Sequence, residues 1–164
     1  MYLGHLGMAW LSRSLFFPAE SLFFLAAASM GPDLVDKPLS LLLGGPGRGV
    51  AHTLLGFGVV CVLAVLARRL FGVRKRFLAA GLLLWLGHLA TDLVDPVTLA
   101  WPFLGELPAS PQRPLSQAFY EFYILRVWPV MFWLDIGFVG LAGLHAAYTR
   151  LSGWRPVADR GTMP

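Results

Sequence analysis

Long apolar stretches, separated by short polar or glycine- and proline-rich breaks, dominate the chain. Three of these stretches, 50–70, 77–92 and 127–148, predict helices that cross a bilayer. Two shorter stretches precede them, at 2–17 and 18–30, and each falls short of the roughly 20 residues that a full span needs. The pattern therefore predicts an all-α, polytopic membrane bundle of three full spans plus a short N-terminal helical hairpin.

The breaks in the pattern predict the connections. Gly31-Pro32 is a strong helix breaker, and residues 33–49 predict a loop whose apolar centre, at 39–43, lies on the membrane surface. Several prolines make 103–116 an irregular connection, and residues 117–126 predict an aromatic helix along the membrane interface.

Composition supports a membrane protein. Hydrophobic residues make up 57% of the 164 residues and charged residues 13%, and the mean hydropathy is +0.66. These values are too apolar for a soluble protein of this size, so we expect the lipid bilayer as partner. The net charge of +4 comes from basic residues at helix ends, so we expect no nucleic-acid partner. Residues 1–150 predict one membrane-embedded domain, and 151–164 a flexible polar tail.

Basic residues are distributed unevenly between the two ends of the predicted helices. By the positive-inside rule the richer end faces the cytoplasm, which places the C-terminus there and the protein in the inner or plasma membrane. The two sets are Arg13, Arg68, Arg69, Arg74, Lys75, Arg76, Arg150, Arg155 and Arg160, against Lys37, Arg48, Arg113 and Arg126.

Histidines and carboxylates collect at the opposite, extracytoplasmic end. His88 and Asp92 are four residues apart at the close of the second span, so they share a helix face and could hold one cation. Neighbouring helix ends at the same level contribute His5, Asp33, Asp36 and His52. Three imidazoles and three carboxylates are a ligand set for a divalent metal such as zinc, so we expect one metal site here.

The expected chemistry is metal-assisted hydrolysis. A divalent ion with an open position lowers the pKa of its water toward about 7, and a free carboxylate, Asp36 or Asp95, is the expected general base. Arg48, beside a glycine-rich segment, is placed to bind an anionic substrate group. The alternative for Arg48 is a solvated loop side chain.

Structural alternatives exist for each of these residues. Taken singly, His5 could be an interfacial side chain, Asp33 and Asp36 could be loop and cap residues, and His88 with Asp92 could be a hydrogen-bonded pair. Their coincidence at one membrane level favours the metal site. The fourth histidine, His145, lies at the other end of the last span and is expected to be structural.

Two further carboxylates lie in apolar surroundings. Asp135 is in the middle of the last span, where an unpaired carboxylate is costly. It could pair with Arg126, hold an upstream histidine in position by a hydrogen bond, or join a hydroxyl network. Glu20, near the tip of the N-terminal hairpin, is either an interfacial side chain or a buried partner of another site.

At these residues the chain resembles a family of small inner-membrane proteins described as LexA-binding, membrane-associated metal-dependent hydrolases. The motifs, in order over residues 5–102, are Pro32-Asp33-Leu34-Val35-Asp36, Gly47-Arg48-Gly49-Val50-Ala51-His52-Thr53, Gly87-His88-Leu89-Ala90-Thr91-Asp92 and Trp101-Pro102. Two departures occur: Asp36 follows Asp33 by three residues instead of two, and Gly47 stands where the family usually has histidine.

That family is in turn similar to zinc-dependent phospholipase C and single-strand nucleases, which are all-helical enzymes with clustered His and Asp ligands. The resemblance implies phosphoester hydrolysis, and a membrane setting favours a phospholipid substrate. The alternatives are a non-catalytic membrane protein with a structural metal site, and a protein that conducts or transports an ion past Asp135.

Overall fold

The computed structural model describes residues 3–43, 48–93, 95–107, 117 and 119–152, and all regular structure in these residues is helical. The predicted all-α class is confirmed. A single 3₁₀ turn, Val50–His52, precedes the fourth helix, and a single π turn, Tyr120–Ile124, precedes the last. The helices are α1 (Gly4–Leu15), α2 (Leu22–Ser29), α3 (Gly31–Leu43), α4 (Leu54–Phe71), α5 (Lys75–Thr91), α6 (Pro96–Leu99) and α7 (Pro129–Ser152).

The N-terminal hairpin is formed by α1 and α2. The second helix starts later than its proline suggested, because the Ser21 side chain caps it and accepts a hydrogen bond from the Phe24 N–H at 3.1 Å. Pro18 lies in the connecting turn. In the same turn Glu20 is buried and accepts a hydrogen bond from Arg74 at 3.3 Å, which supports its interpretation as a buried partner.

The predicted loop at 33–49 is wrong over most of its length, because α3 occupies Gly31–Leu43. Gly31-Pro32 does end α2, but proline is also tolerated in the first turn of a helix, so a new helix starts at once. Asp33 in that first turn is favoured by the helix dipole. The helix even accommodates Pro38 in its interior. Residues 44–47 lie outside the described residues.

Two helices, α4 and α7, are long and apolar enough to cross a membrane. The third predicted span, α5, has 17 residues and starts with Lys75 and Arg76, so the arrangement with three full spans is not confirmed. Large apolar side chains of α4 and α7 face outward, and in α4 only Gly56 is buried. A core helix of a soluble protein would instead be mostly buried.

The core lies where α1, α2 and α5 meet, and α7 packs along α1. Gly7 allows α1 and α7 to approach closely: a Cβ atom at Gly7 would lie 2.6 Å from the backbone oxygen of Phe138. Because the neighbouring atoms are backbone, they cannot move aside as a flexible side chain would. This contact fixes α7 against the helix that carries His5.

The connection to α7 follows the prediction only in part. The predicted interfacial helix at 117–126 contains the π turn, and Phe122 packs there against Met131 and Phe132. Most of the predicted proline-rich loop, 108–116, lies outside the described residues. At the C-terminus α7 continues through Ser152, and the rest of the predicted polar tail, 153–164, also lies outside them.

We expect Gly7→Ala to lower the free energy of unfolding by about 1–2 kcal/mol, because the overpacked contact exceeds the roughly 1 kcal/mol gained in helix propensity. Gly140→Ala, in α7 with open space at its Cβ position, is the matched control and should be neutral or slightly stabilising. Unfolding of both variants in detergent, titrated with sodium dodecyl sulfate, measures the difference. Equal stabilities would show that the α1–α7 approach is not tight.

Candidate metal centre

Five of the predicted metal-ligating side chains converge, although they come from distant parts of the chain. Two groups have ligand atoms within 4.8 Å of one another and could each hold a metal ion. The first group is formed by His5, Asp33 and His88, and the second by His52, His88 and Asp92. All but Asp33 are buried, and Asp33 is partly buried. We call these five residues the His/Asp cluster.

The position of His52 is set by hydrogen bonds from the surrounding backbone to the carboxylate of Asp36. Asp36, in α3, accepts hydrogen bonds from the backbone N–H groups of Gly49 at 2.7 Å, Ala51 at 3.1 Å and His52 at 3.2 Å. A Cβ atom at Gly49 would lie 2.9 Å from the Asp36 carboxylate, so glycine permits this approach. The Thr53 side chain then caps α4, and the 3₁₀ turn with His52 is held between the two helices.

The same carboxylate orients the His52 ring. Asp36 Oδ2 lies 2.7 Å from Nδ1 of His52. An ionised carboxylate only accepts, so Nδ1 carries a hydrogen and Nε2 points into the cluster. The structure therefore places Asp36 behind His52, and Asp36 belongs to neither group of potential ligands.

His88 is oriented in the same way by the end of α2. Its Nδ1 donates to the backbone carbonyl of Ser29 at 2.8 Å, because a carbonyl oxygen can only accept. Its Nε2 then faces Nε2 of His52 at 3.3 Å. Two nitrogen lone pairs at this distance repel each other unless a proton or a cation lies between them.

Carboxylate oxygens surround this pair of nitrogens. Asp33 Oδ1 lies 3.4 Å from His52 Nε2, and Asp92 Oδ2 lies 3.9 Å from the same nitrogen and 3.6 Å from His88 Nε2. The predicted pairing of His88 with Asp92 across one helical turn is thus present. The donor set of imidazole nitrogens and carboxylate oxygens suits a divalent ion.

Buried polar atoms in the cluster have lone pairs or hydrogens that no described residue satisfies. Asp92 Oδ2 and both ring nitrogens of His5 are fully buried and lack a hydrogen-bond partner within the described part of the chain. The His5 ring stacks on His88 with a centroid separation of 4.5 Å. Leaving such groups unsatisfied costs about 1–3 kcal/mol each, and coordination to a cation would remove that cost. The residues present therefore fit a metal ion.

Interactions between the charged side chains of the cluster determine which of them carry a proton when no metal is bound. Burial lowers the pKa of His52, but its hydrogen bonds with Asp33 and Asp36 outweigh burial and leave that pKa raised. Burial raises the pKa of both carboxyl groups, yet the His52 contact, with Lys37 acting on Asp33 and backbone N–H groups acting on Asp36, leaves each pKa lowered. A proton on His52 then separates the two facing nitrogens.

Basic side chains lie at the edge of the cluster. Arg48 Nη2 lies 3.0 Å from Asp92 Oδ1, its Nη1 lies 3.7 Å from Asp95, and its side chain is 30% exposed. Lys37 pairs with Asp33 at 3.1 Å, across one turn of α3. Solvent therefore approaches the cluster on the Arg48 side and on the Lys37 side. Lys37 was not among the predicted site residues, although its spacing of four from Asp33 could have indicated it.

The remaining predicted site carboxylates have other partners. Asp95 caps α6 and accepts hydrogen bonds from the backbone and hydroxyl of Thr98 at 3.3 and 2.8 Å. Asp135 accepts from the Gly4 N–H and the Tyr123 hydroxyl, both at 2.7 Å. It thereby fixes the start of α1, next to His5. Of the partners predicted for Asp135, a hydroxyl group is present, that of Tyr123. The fourth histidine, His145, belongs to neither potential ligand group.

Comparisons of the chain with known protein families, with curated proteins and with solved structures give no match. The resemblance to membrane-associated metal-dependent hydrolases therefore stays a prediction that rests on the four motifs. The site itself rests on the geometry of its side chains.

We expect Asp36→Asn to weaken zinc binding by about 10–100-fold, although Asp36 lies outside both groups of potential ligands. Both carboxylate oxygens of Asp36 accept hydrogen bonds, whereas the NH2 group of asparagine can only donate and would meet either the Ala51 N–H or the donors around His52. Zinc affinity is measured by competition with a chelator. Glu20→Gln, which alters a buried carboxylate at the hairpin turn, is the matched control and should leave the affinity unchanged. Unchanged affinity in Asp36→Asn would show that His52 needs no support from Asp36.

Zinc affinity should also fall at low pH. The pKa of His52 is raised, so below that pKa its Nε2 holds a proton that the metal must displace. The affinity should be full above the raised pKa and fall by about tenfold per pH unit below it, for one displaced proton. Equilibrium dialysis with zinc at pH 8, 7, 6 and 5 tests this. A flat profile over that range would exclude His52 as a ligand.

Proposed function

We propose that the protein is a membrane-bound, metal-dependent hydrolase that cleaves a phosphoester of a phospholipid. The observation that carries the proposal is the pair of facing Nε2 atoms of His52 and His88. Beside them lies Asp92 Oδ2, which has no hydrogen-bond partner among the described residues. This arrangement suits a divalent cation, which would take the place of the His52 proton between the two nitrogens and would also satisfy the Asp92 oxygen. Zinc fits the mixture of imidazole and carboxylate donors best.

The residues have distinct roles in this proposal. His52, His88 and Asp92 hold the metal, and His5 and Asp33 extend the ligand set. A bound divalent ion supplies Lewis-acid activation of a water molecule and of a phosphoryl oxygen. Asp36 orients His52 and Ser29 orients His88, and Asp135 fixes the start of the helix that carries His5.

Substrate binding and proton transfer fall to the residues at the exposed edge. Arg48 is positioned to bind a phosphate, because its guanidinium presents several donors to an anion. In hydrolysis the oxygen of water bonds to phosphorus and the P–O bond to the alcohol breaks. A proton passes from the water to a carboxylate and on to the leaving oxygen. Asp95, 3.7 Å from Arg48, is the carboxylate placed for that transfer.

The proposed membrane arrangement follows from the two ends of the α4–α5 pair. α4 starts just after His52 and ends with Arg68 and Arg69, and α5 starts with Lys75 and ends just before Asp92. With the basic turn on the cytoplasmic side, the His/Asp cluster lies on the extracytoplasmic side. In this arrangement α5 crosses the bilayer beside α4, α7 crosses beside α1, and the C-terminus is cytoplasmic.

One observation favours a second candidate, a structural metal site. His5, His52 and His88 are at most 4% exposed, and structural sites are closed whereas catalytic sites keep a position open. For ion transport the structure gives less support, since both carboxylate oxygens of Asp135 accept hydrogen bonds. Partial exposure of Arg48 and Asp95 beside the cluster favours the hydrolase.

We expect the zinc-loaded protein in detergent to hydrolyse dihexanoyl phosphatidylglycerol. Asp92→Asn and His52→Ala should each lower kcat/KM by about 100-fold or more, because ligand loss removes several kcal/mol of transition-state stabilisation. His145→Ala, which changes the histidine outside the cluster, should retain activity. Phosphate-ester cleavage and zinc content are measured on the same samples.

The same experiment separates the two candidates. Stoichiometric zinc with no hydrolysis, and zinc loss in Asp92→Asn accompanied by loss of the folded state in circular dichroism, would support the structural site. Absence of zinc from the wild-type protein under loading conditions would contradict both.

A further inference from the structure

An apolar groove runs between α1 and α5 and starts about one helical turn from the His/Asp cluster. Its volume is about 360 Å³, within the range of small-molecule pockets. The groove contributes nothing to the cluster's own chemistry, since its lining is almost entirely apolar. The lining residues are Met8, Ser12, Phe16, Phe17, Leu83 and Leu84.

Both walls of the groove carry a cluster histidine on the same helix face. On α1, Met8 follows His5 by three residues and Ser12 follows Met8 by four, so the three side chains lie in one row. On α5, Leu84 precedes His88 by four residues, which again is one turn on one face. On both helices the face that lines the groove therefore continues, one turn further along, to a cluster histidine.

The groove follows α1 away from the cluster. Phe16 follows His5 by 11 residues, and at 1.5 Å of rise per residue the far end lies roughly 16 Å from His5. Just beyond it, in the turn after α1, Glu20 contacts Arg74 at 3.3 Å, so the far end approaches the basic turn before α5. A chain that starts at the level of the cluster could follow the groove over this length.

The groove is open to the side. Its floor is formed by the buried residues Met8 and Leu84, while Leu83 and Phe16 on its rim are 57% and 68% exposed. A ligand could thus enter laterally from the surrounding apolar phase without separating α1 from α5. Methionine at the end nearest the cluster suits a site that adapts to a flexible ligand.

We propose that this groove binds one acyl chain of the phospholipid whose phosphate is cleaved at the His/Asp cluster. The inference rests on the proposed function and deepens it by assigning the apolar part of the substrate. A polar cluster at one end, an apolar channel along α1 and a lateral opening together match an amphiphile with an anionic group and a long chain. Arg48 binds the anionic group, and the groove selects for a long chain.

The first test compares phosphatidylglycerol with two palmitoyl chains and with two hexanoyl chains. Leu83→Trp, at the exposed rim, and Ser12→Trp are expected to fill the groove. Each should lower the ratio of kcat/KM for the long-chain lipid to kcat/KM for the short-chain lipid by about tenfold. This is the effect expected when roughly two methylene groups of the chain lose their apolar site. Val62→Trp, which adds the same bulk at a 58% exposed apolar position of α4, should leave the ratio unchanged. An unchanged ratio in folded Leu83→Trp would overturn the inference.

The second test is independent of turnover. A phosphatidylglycerol with a photoreactive diazirine in its acyl chain is activated in nanodiscs, and labelled peptides are mapped. We expect saturable labelling of residues 8–17 that unlabelled long-chain lipid competes away and that Leu83→Trp lowers at least about fivefold, with Val62→Trp as control. Labelling that does not saturate, or that is strongest on α4, would contradict acyl-chain binding in the groove.

The two tests keep the two proposals separable. Saturable groove labelling without hydrolysis of either lipid would leave the chain-binding site in place and contradict the hydrolase. Hydrolysis that is insensitive to chain length would support the hydrolase and contradict the groove.

Discussion

The carboxylate of Asp36 is the constraint on which the site depends. It is buried, and it accepts three backbone N–H groups and the ring of His52. Those four donors offset the cost of removing a charge from water and join α3 to the start of α4. They fix the backbone of Gly49, Ala51 and His52 relative to α3, which allows His52 to face His88. The cluster is thus built by a residue that does not line it.

Each carboxylate around the cluster also has a matching cation. Lys37 lies beside Asp33, Arg48 beside Asp92, and protonated His52 beside Asp36. The charges therefore balance before any metal binds, which allows the chain to fold around an empty site. A bound divalent ion would replace the proton of His52 and would weaken the hold of the carboxylates on Arg48 and Lys37. Metal binding would thereby make both cations available to a phosphate at the same place.

The parts of the site that could be predicted from the sequence are those that depend on helical spacing and on the positions of helix ends. His88 and Asp92 are four residues apart on one apolar helix, and counting helix ends brought His5, His52 and Asp33 to the same level. The sequence did not predict α3, because Gly31-Pro32 ends one helix while Pro32 and Asp33 also suit the first turn of the next, and the pattern does not distinguish these two uses. Nor could it separate the roles of Asp33 and Asp36. They are one turn apart on α3, yet one faces the cluster and the other the backbone of the following turn.

The same periodicity links the polar cluster to the apolar groove. A helix face repeats every three or four residues, so a face that presents His5 or His88 at its end must present other side chains one turn further along. In α1 and α5 those side chains are Met8 and Leu84, which continue the face into the apolar phase. A ligand lying along both helices would therefore meet metal-binding groups and then hydrocarbon, in the order in which a phospholipid presents its phosphate and its chains. Two helices of ordinary geometry are sufficient for this match, provided that Asp36 and Ser29 hold the imidazoles at the polar end.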